Sequence, residues 1–406
     1  MKRVSISNDG SYFLVMTLIY VVCPFVSFVI ALCLFRNRVS QFFYIAFAFY
    51  FGWQLGPNFD LLTHYQNYLT FIDRPLSWIL TDFKTLYLGQ EPFHIVFKYL
   101  LSVFNVSARV FSGWACAVYA TAFVFYIREF TPYFKNLNLI RIIVLVGAAV
   151  VVEFQWYFGL RFWTGAFVFM IFYLHYTITG KKLYLFLTPI CLLFHVVLIV
   201  FVGCAFASEV IRNIKLNYLL LIVSFFYRTI DFGFTQLVAS LPFVKMFYKS
   251  NYQGAYLQAS LARRSKDYIE NGNLVYRSKL PLMLIGVFLT LFFLWMKNKN
   301  VNKVFPKMYG LFIILIAVAN FGYSDFVFYG RVLKMATLVG YAYLFIVLSQ
   351  PENMFTIKSL FYKIILAVIC LFGLMTAIVE ERVFLNNILL WFGNYLTPIP
   401  LLNLSD

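Results

Sequence analysis

The residues of this chain that could do chemistry lie beside or inside apolar stretches, where a charge is costly to keep and is a functional candidate by default. Arg161 opens an apolar segment directly after "WYFGL", and His195 sits inside "LLFHVVL". In "PNFDLLTHYQNY", residues 57–68, a helix would set Asp60 and His64 on adjoining faces with Tyr65 beside them. Glu91 precedes Pro92 at the start of a short apolar run, where a carboxylate complements a helix N-terminus. Arg263 and Arg264, with Lys266, form a dense basic cluster, and Asp325 and Arg331 lie at the start of a late apolar segment. Arginine forks bind phosphates bidentately, and aromatic faces suit sugar rings and apolar lipid chains. A lipid-linked phosphosugar fits that inventory. In transfer between two such substrates, a carboxylate or histidine would act as base on the acceptor hydroxyl while arginines stabilise the departing pyrophosphate. Asp60, Glu91 and His195 are the candidate catalytic groups; Arg161, Arg263, Arg264, Arg331, His64 and Tyr65 are the candidate substrate-binding groups.

Each position also has a plainer reading. Arg161 can be a flank that snorkels its charge to the interface. His195 can be a core histidine bonded to a backbone carbonyl, and Glu91 can serve only as a helix cap. The 57–68 stretch can be an amphipathic helix lying in the interface, and Asp325 with Arg331 can be an ion pair anchoring two helices.

The elements that must position these groups follow from composition. The 406 residues are 62% hydrophobic and only 12% charged, with a mean hydropathy of +0.81, more apolar surface than a soluble domain can hide. The chain reads as a single all-α polytopic transmembrane domain over 1–406, with about 10–12 transmembrane helices. Apolar segments fall at roughly 12–35, 41–56, 109–127, 141–158, 162–179, 216–239, 281–296, 308–321, 330–349 and 360–379. The piece 93–104 is short for a span and reads as an external or re-entrant helix; 183–209, interrupted by Pro189 and His195, reads as a broken hairpin. The first apolar run is too long for a signal-peptide core and lacks a small-residue cleavage site, so it is expected to remain as a helix.

The net charge of +17 is distributed unevenly. Basic residues collect in short gaps: Arg36 and Arg38, Arg128, Lys135 and Arg141, Lys181 and Lys182, Arg212 and Lys215, Lys297 to Lys307, and Lys358 with Lys363. That is the pattern of cytoplasmic loops rather than of a nucleic-acid surface. It places the longer polar stretches, about 57–92 and 240–280, on the external face together with Arg161, and leaves Lys181 and Lys182 inside. Six cysteines lie in apolar segments with no CxxC pair and read as small core residues. The spacing of the four histidines gives no metal motif, and no Walker or dinucleotide glycine pattern is present, so neither metal nor cofactor is expected.

The order of motifs resembles the EpsG family, which includes exopolysaccharide proteins and Wzy-type polymerases of O-antigen and related repeat units. It runs "D-L-x-x-H-Y-x-x-Y" from Asp60, then Glu91-Pro92, then "R-F-W" from Arg161 opening a segment that ends in "G-K-K", then "L-x-H" at His195, then "G-R" at Arg331. The resemblance spans about 41–349. It falls on Asp60, Glu91, Arg161, His195 and Arg331, and departs at Thr63, where many relatives carry arginine, and at Val196, where a small hydroxyl residue is usual. It implies a fold like the GT-C glycosyltransferases in a bacterial inner membrane, with the active face periplasmic. It also implies transfer of a growing glycan from undecaprenyl pyrophosphate to the next lipid-linked unit, alongside a Wzx-type flippase and a Wzz-type chain-length regulator. The main rival is a flippase or other transporter of lipid-linked oligosaccharide, for which internal pseudo-symmetry is expected and none is seen. A glycan acyltransferase is the third reading, disfavoured by the depth of His195 in its apolar run.

Overall fold

The computed structural model describes residues 9–57, 60–78, 91–136, 138–151, 160–227, 274–303, 305–323, 326–350, 360–380 and 393–396. Among these the fold is all-helical, with no strand. The order is α1 (Asp9–Val22), α2 (Pro24–Cys33), α3 (Arg38–Leu55), α4 (Asp60–Leu69), α5 (Pro92–Val103), α6 (Ala108–Arg128), α7 (Leu139–Val151), α8 (Phe162–Thr179), α9 (Lys182–Leu187), α10 (Ile199–Val210), α11 (Ile214–Tyr227), α12 (Leu274–Lys297), α13 (Pro306–Phe321), α14 (Phe326–Leu348) and α15 (Leu360–Glu380).

Among the described residues three stretches are long and apolar enough to cross a membrane: Ala108–Arg128, Phe162–Thr179 and Phe328–Leu348. The last is buried along nearly its whole length and forms the centre of the bundle, packed by α7, α12 and α13. The outer helices invert the soluble pattern. Leu14, Leu18 and Val21 on α1, Ile285, Leu289, Phe292 and Met296 on α12, and Ile364, Val368, Leu371 and Met375 on α15 are all exposed. They recur every three or four residues and so draw continuous apolar stripes on the outside. Stripes of that size belong against hydrocarbon rather than water.

Sequence signals set several boundaries. Asn37 caps α3 by accepting the Val39 N–H at 2.8 Å. Pro92 and Pro306 occupy first turns, where the missing N–H costs nothing. Gly180 ends α8 in the left-handed conformation, φ 72°. The structure corrects the expectation of one helix over 12–35. Pro24 cannot continue the ladder and holds Cys23 extended, at φ −147° and ψ 92°, so the segment divides into α1 and α2. Contacts then run Tyr12 to Ser40 and Tyr20 to Ala46, so α1 runs parallel to α3, whereas Phe35 meets Tyr44 and Phe28 meets Phe47, so α2 returns antiparallel.

The segment 183–209 is a broken hairpin, as its Pro189 and His195 lead one to expect. α9 passes into a 3₁₀ turn, Thr188–Leu193; the chain is extended at His195; a second 3₁₀ turn, Val196–Leu198, leads into α10. Both arms pack against α8. Gly165 allows this: a Cβ there would lie 2.4 Å from Leu198 Cδ1 and 2.8 Å from Phe194 Cβ.

Two polar ends result. At the C-terminal end of α8, Glu209 Oε2 pairs with Lys307 at 2.9 Å, and its Oε1 with Arg212 at 2.9 Å. The Tyr176 hydroxyl bonds both Glu209 and Lys307. His175 meets Glu129 at 3.1 Å, and Arg141 bonds the Leu348 carbonyl at 2.9 Å. The basic gaps at Arg128, Lys181, Lys182, Arg212 and Lys307 therefore share one end, which these contacts link to the C-termini of α6, α8 and α14. Arg161 lies at the other end of α8, about 22 Å from Tyr176 at 1.5 Å per residue.

Candidate functional site

The site is built on helix N-termini. Glu91 is the N-cap of α5 and is buried, and Arg161 is the N-cap of α8. A carboxylate suits the positive end of a helix, and a guanidinium does not. The two meet: Arg161 Nη2 donates to Glu91 Oε1 at 2.6 Å, a short, charge-assisted bond. Glu91 thereby offsets the unfavourable field at Arg161 and fixes its direction.

The hairpin delivers His195 to the same place. Its Nδ1 accepts the Val197 N–H at 3.2 Å, so in the neutral ring the proton lies on Nε2. Nδ1 is also 3.8 Å from Glu91 Oε1, too long for a hydrogen bond. His195 therefore keeps its donor, Nε2–H, on the ring edge away from the Val197 N–H. Phe162, the residue after Arg161, joins the late arginine to this group. Its ring stands edge-on to His195 at 5.7 Å, and Arg331 lies over it at 4.9 Å.

α4 and α5 close the side of the cluster. His64 stacks on His94, ring centroids 5.0 Å apart and planes 11° apart. His94 Nε2 donates to the Phe194 carbonyl at 3.3 Å, and Phe93 stacks on Phe194 at 4.2 Å. The residue before His195 is thus held twice by α5. Sequence reading assigned no role to His94 or to the fully buried Lys98. The signal was present: Glu91, His94 and Lys98 follow at i, i+3 and i+7, one face of a helix.

Of the candidate residues, the structure brings together Glu91, Arg161, His195, Arg331 and His64. Tyr65 is directed elsewhere, its ring packed against Tyr68 and Phe111, both at 5.6 Å. Asp60 is the first residue of α4, and its side chain lies outside the described residues, as do Arg263, Arg264, residues 240–273 and Asp325, while 274–280 of the expected external loop are the first turns of α12. Four of the six cysteines are buried, while Cys23 is partly exposed and Cys33 exposed. Among the described residues no group of three His, Cys, Asp or Glu side chains is placed to hold a metal ion.

The arrangement can hold an anion. Arg161, Arg331, the His195 ring and the N-termini of two helices lie together, and among the described residues one carboxylate, Glu91, holds Arg161 there. No family model, no curated protein and no solved structure matches the chain.

Proposed function

We propose that this protein is a polysaccharide polymerase of the Wzy type in a bacterial inner membrane. It transfers a growing glycan from undecaprenyl pyrophosphate to the next lipid-linked repeat unit on the periplasmic side. The observation that carries this reading is the convergence of Glu91, Arg161, His195 and Arg331 at the end of the bundle opposite its basic gaps. Basic loops face the cytoplasm, so the anion-holding corner faces out, where exported lipid-linked units are found. The resemblance to the EpsG family falls on these same four residues and on Asp60.

On this reading the residues divide the work. Arg161 and Arg331 hold the donor pyrophosphate and stabilise the charge that develops on it as the glycosidic bond breaks. His195 Nε2–H donates to a phosphate oxygen of the leaving group. Glu91 positions Arg161. Asp60, which opens α4 four residues before His64, takes the proton from the acceptor hydroxyl as its oxygen bonds to the donor's anomeric carbon. Undecaprenyl pyrophosphate leaves, and the chain grows by one unit.

The test is a glycan ladder. The gene is deleted in its host, the surface polysaccharide is separated on a gel, and the strain is complemented with wild type or Arg161→Ala. Lipid cores carrying a single repeat unit in the deletion strain are the expected result, since export then continues and only joining fails. Loss of every repeat unit from the surface would sink the polymerase reading in favour of a lipid-linked oligosaccharide transporter.

A further inference from the structure

A groove between α6 and α8 opens on the lateral surface close to the polar corner. It has a volume of about 320 Å³ and an almost wholly apolar lining that includes Trp114, Val118 and Phe125 of α6, Thr164 and Val168 of α8, and Phe194 at the hairpin tip. Trp114 and Phe125 are 48% and 46% exposed, so the groove opens sideways, toward the region the outer apolar stripes occupy. From Trp114 to Phe125 it follows α6 for about 16 Å. Its Trp114 end lies near the site, because Phe194 precedes His195 and Thr164 is one turn after Arg161. Thr164 is 1% exposed, and its Oγ1 has no hydrogen-bond partner among the described residues. A buried hydroxyl without a partner is costly, and this one lines an otherwise apolar groove at the end nearest Arg161.

We infer that this groove seats the polyprenyl chain of the lipid-linked substrate, with the Thr164 hydroxyl donating to an oxygen of the phosphate at the head of that chain. The inference rests on the polymerase reading. A single hydrocarbon chain lies along Trp114, Val118, Val168 and Phe125, and its diphosphate emerges beside Arg161. The Phe125 end of the groove lies under Arg128, 4.8 Å from ring to guanidinium, at the basic face, so phosphatidylglycerol is the competing occupant that the experiment must exclude.

The test is photolabelling of the full-length protein in detergent with undecaprenyl phosphate that carries a photoreactive group on its hydrocarbon chain, followed by peptide mapping. The expected result is label on 114–125, removed by unlabelled undecaprenyl phosphate but not by excess phosphatidylglycerol. Val168→Trp, which fills the groove, should lower labelling about tenfold, equivalent to 1.4 kcal/mol, and Thr164→Val should weaken competition by undecaprenyl phosphate. Folding of both variants is followed by size-exclusion behaviour. Label spread evenly over the outer stripes, equal competition by phosphatidylglycerol, or wild-type labelling of a folded Val168→Trp would overturn the inference. Specific labelling in a protein that forms no polymer from lipid-linked units upholds the groove and removes the polymerase reading. Polymer formation without label on 114–125 removes the groove alone.

Discussion

Arg161 Nη2 and Glu91 Oε1 lie 2.6 Å apart and join the N-termini of two helices separated by 70 residues of sequence. Neither partner is well placed alone. Without Arg161 the buried Glu91 carboxylate loses its 2.6 Å donor, and without Glu91 the guanidinium loses that acceptor beside the N-terminus of α8. The pair is therefore a positioning device as well as a charge, and the two functions separate experimentally.

Arg161→Lys keeps the charge but loses the planar fork, and Arg161→Ala loses both. Polymer length should fall in the order wild type, Lys, Ala, with Ala lacking polymer at normal protein abundance. Glu91→Gln should cost about 1–3 kcal/mol of stability, the range for stranding one partner of a buried bond. Its effect should be non-additive with Arg161→Ala, since residues in direct contact couple. Thermal unfolding in detergent with a double-mutant cycle measures this, and strictly additive losses would remove the positioning role of Glu91.

At His195 the useful nitrogen is Nε2, because Nδ1 is occupied by the Val197 N–H. Glutamine can place an amide N–H near the Nε2 position, whereas asparagine places one near Nδ1. His195→Gln should therefore retain more activity than His195→Asn, and His195→Ala should lose about 10²-fold or more, the usual contribution of a positioned proton-transfer or donor group. Initial rates of polymer formation on purified lipid-linked units would decide it. Equal activity in the Gln and Asn variants would show that the ring's donor geometry is irrelevant.

Gly165 is the point at which the hairpin can be displaced without touching a polar group. A Cβ there would meet Leu198 Cδ1 at 2.4 Å, Phe194 Cβ at 2.8 Å and the Cys191 carbonyl at 3.1 Å. Gly165→Val should push the tip away from α8, at a cost of about 1–3 kcal/mol for overpacking, and should abolish activity while Arg161 and Glu91 remain. Gly203, whose Cβ would meet nothing within 4 Å, supplies the control: Gly203→Ala should be close to wild type in both stability and rate.

What could be read from the sequence was whatever a local period or a breaker residue encodes. α8 falls on 162–179 because Arg161 and Gly180 bound a largely apolar run with no proline, and the break before His195 is visible because Pro189 interrupts the next one. The division at Cys23 follows from a single proline inside a run whose hydropathy does not change, so hydropathy alone joins α1 to α2. The i, i+3, i+7 spacing puts His94 on one face of α5 with Glu91 and Lys98, but does not say what that face meets. The partners of His94 are the His64 ring and the Phe194 carbonyl, 30 and 100 positions away, and no spacing within α5 reports contacts across that distance. Tyr65 shows the reverse: its place beside His64 in sequence carries it onto the next face of α4, into the Tyr68 and Phe111 cluster.

The proposed direction of the reaction depends on which end of the bundle faces out, and that can be measured separately from any activity. The contacts of Tyr176, Glu209, Lys307 and Arg212 fix the basic end, and α4 lies at the other. In a variant with the six cysteines replaced by serine, Lys181→Cys and Lys299→Cys report the basic end, and Gln66→Cys, exposed on α4, reports the site end. With a membrane-impermeant maleimide applied to spheroplasts, Gln66→Cys should label at once, and the two lysine positions only after permeabilisation, as the positive-inside bias requires. Labelling of Lys181→Cys in sealed spheroplasts, with Gln66→Cys protected, would turn the Glu91–Arg161–His195 corner toward the cytoplasm. Exported lipid-linked units would then never meet it, and transfer between them at this site could not occur.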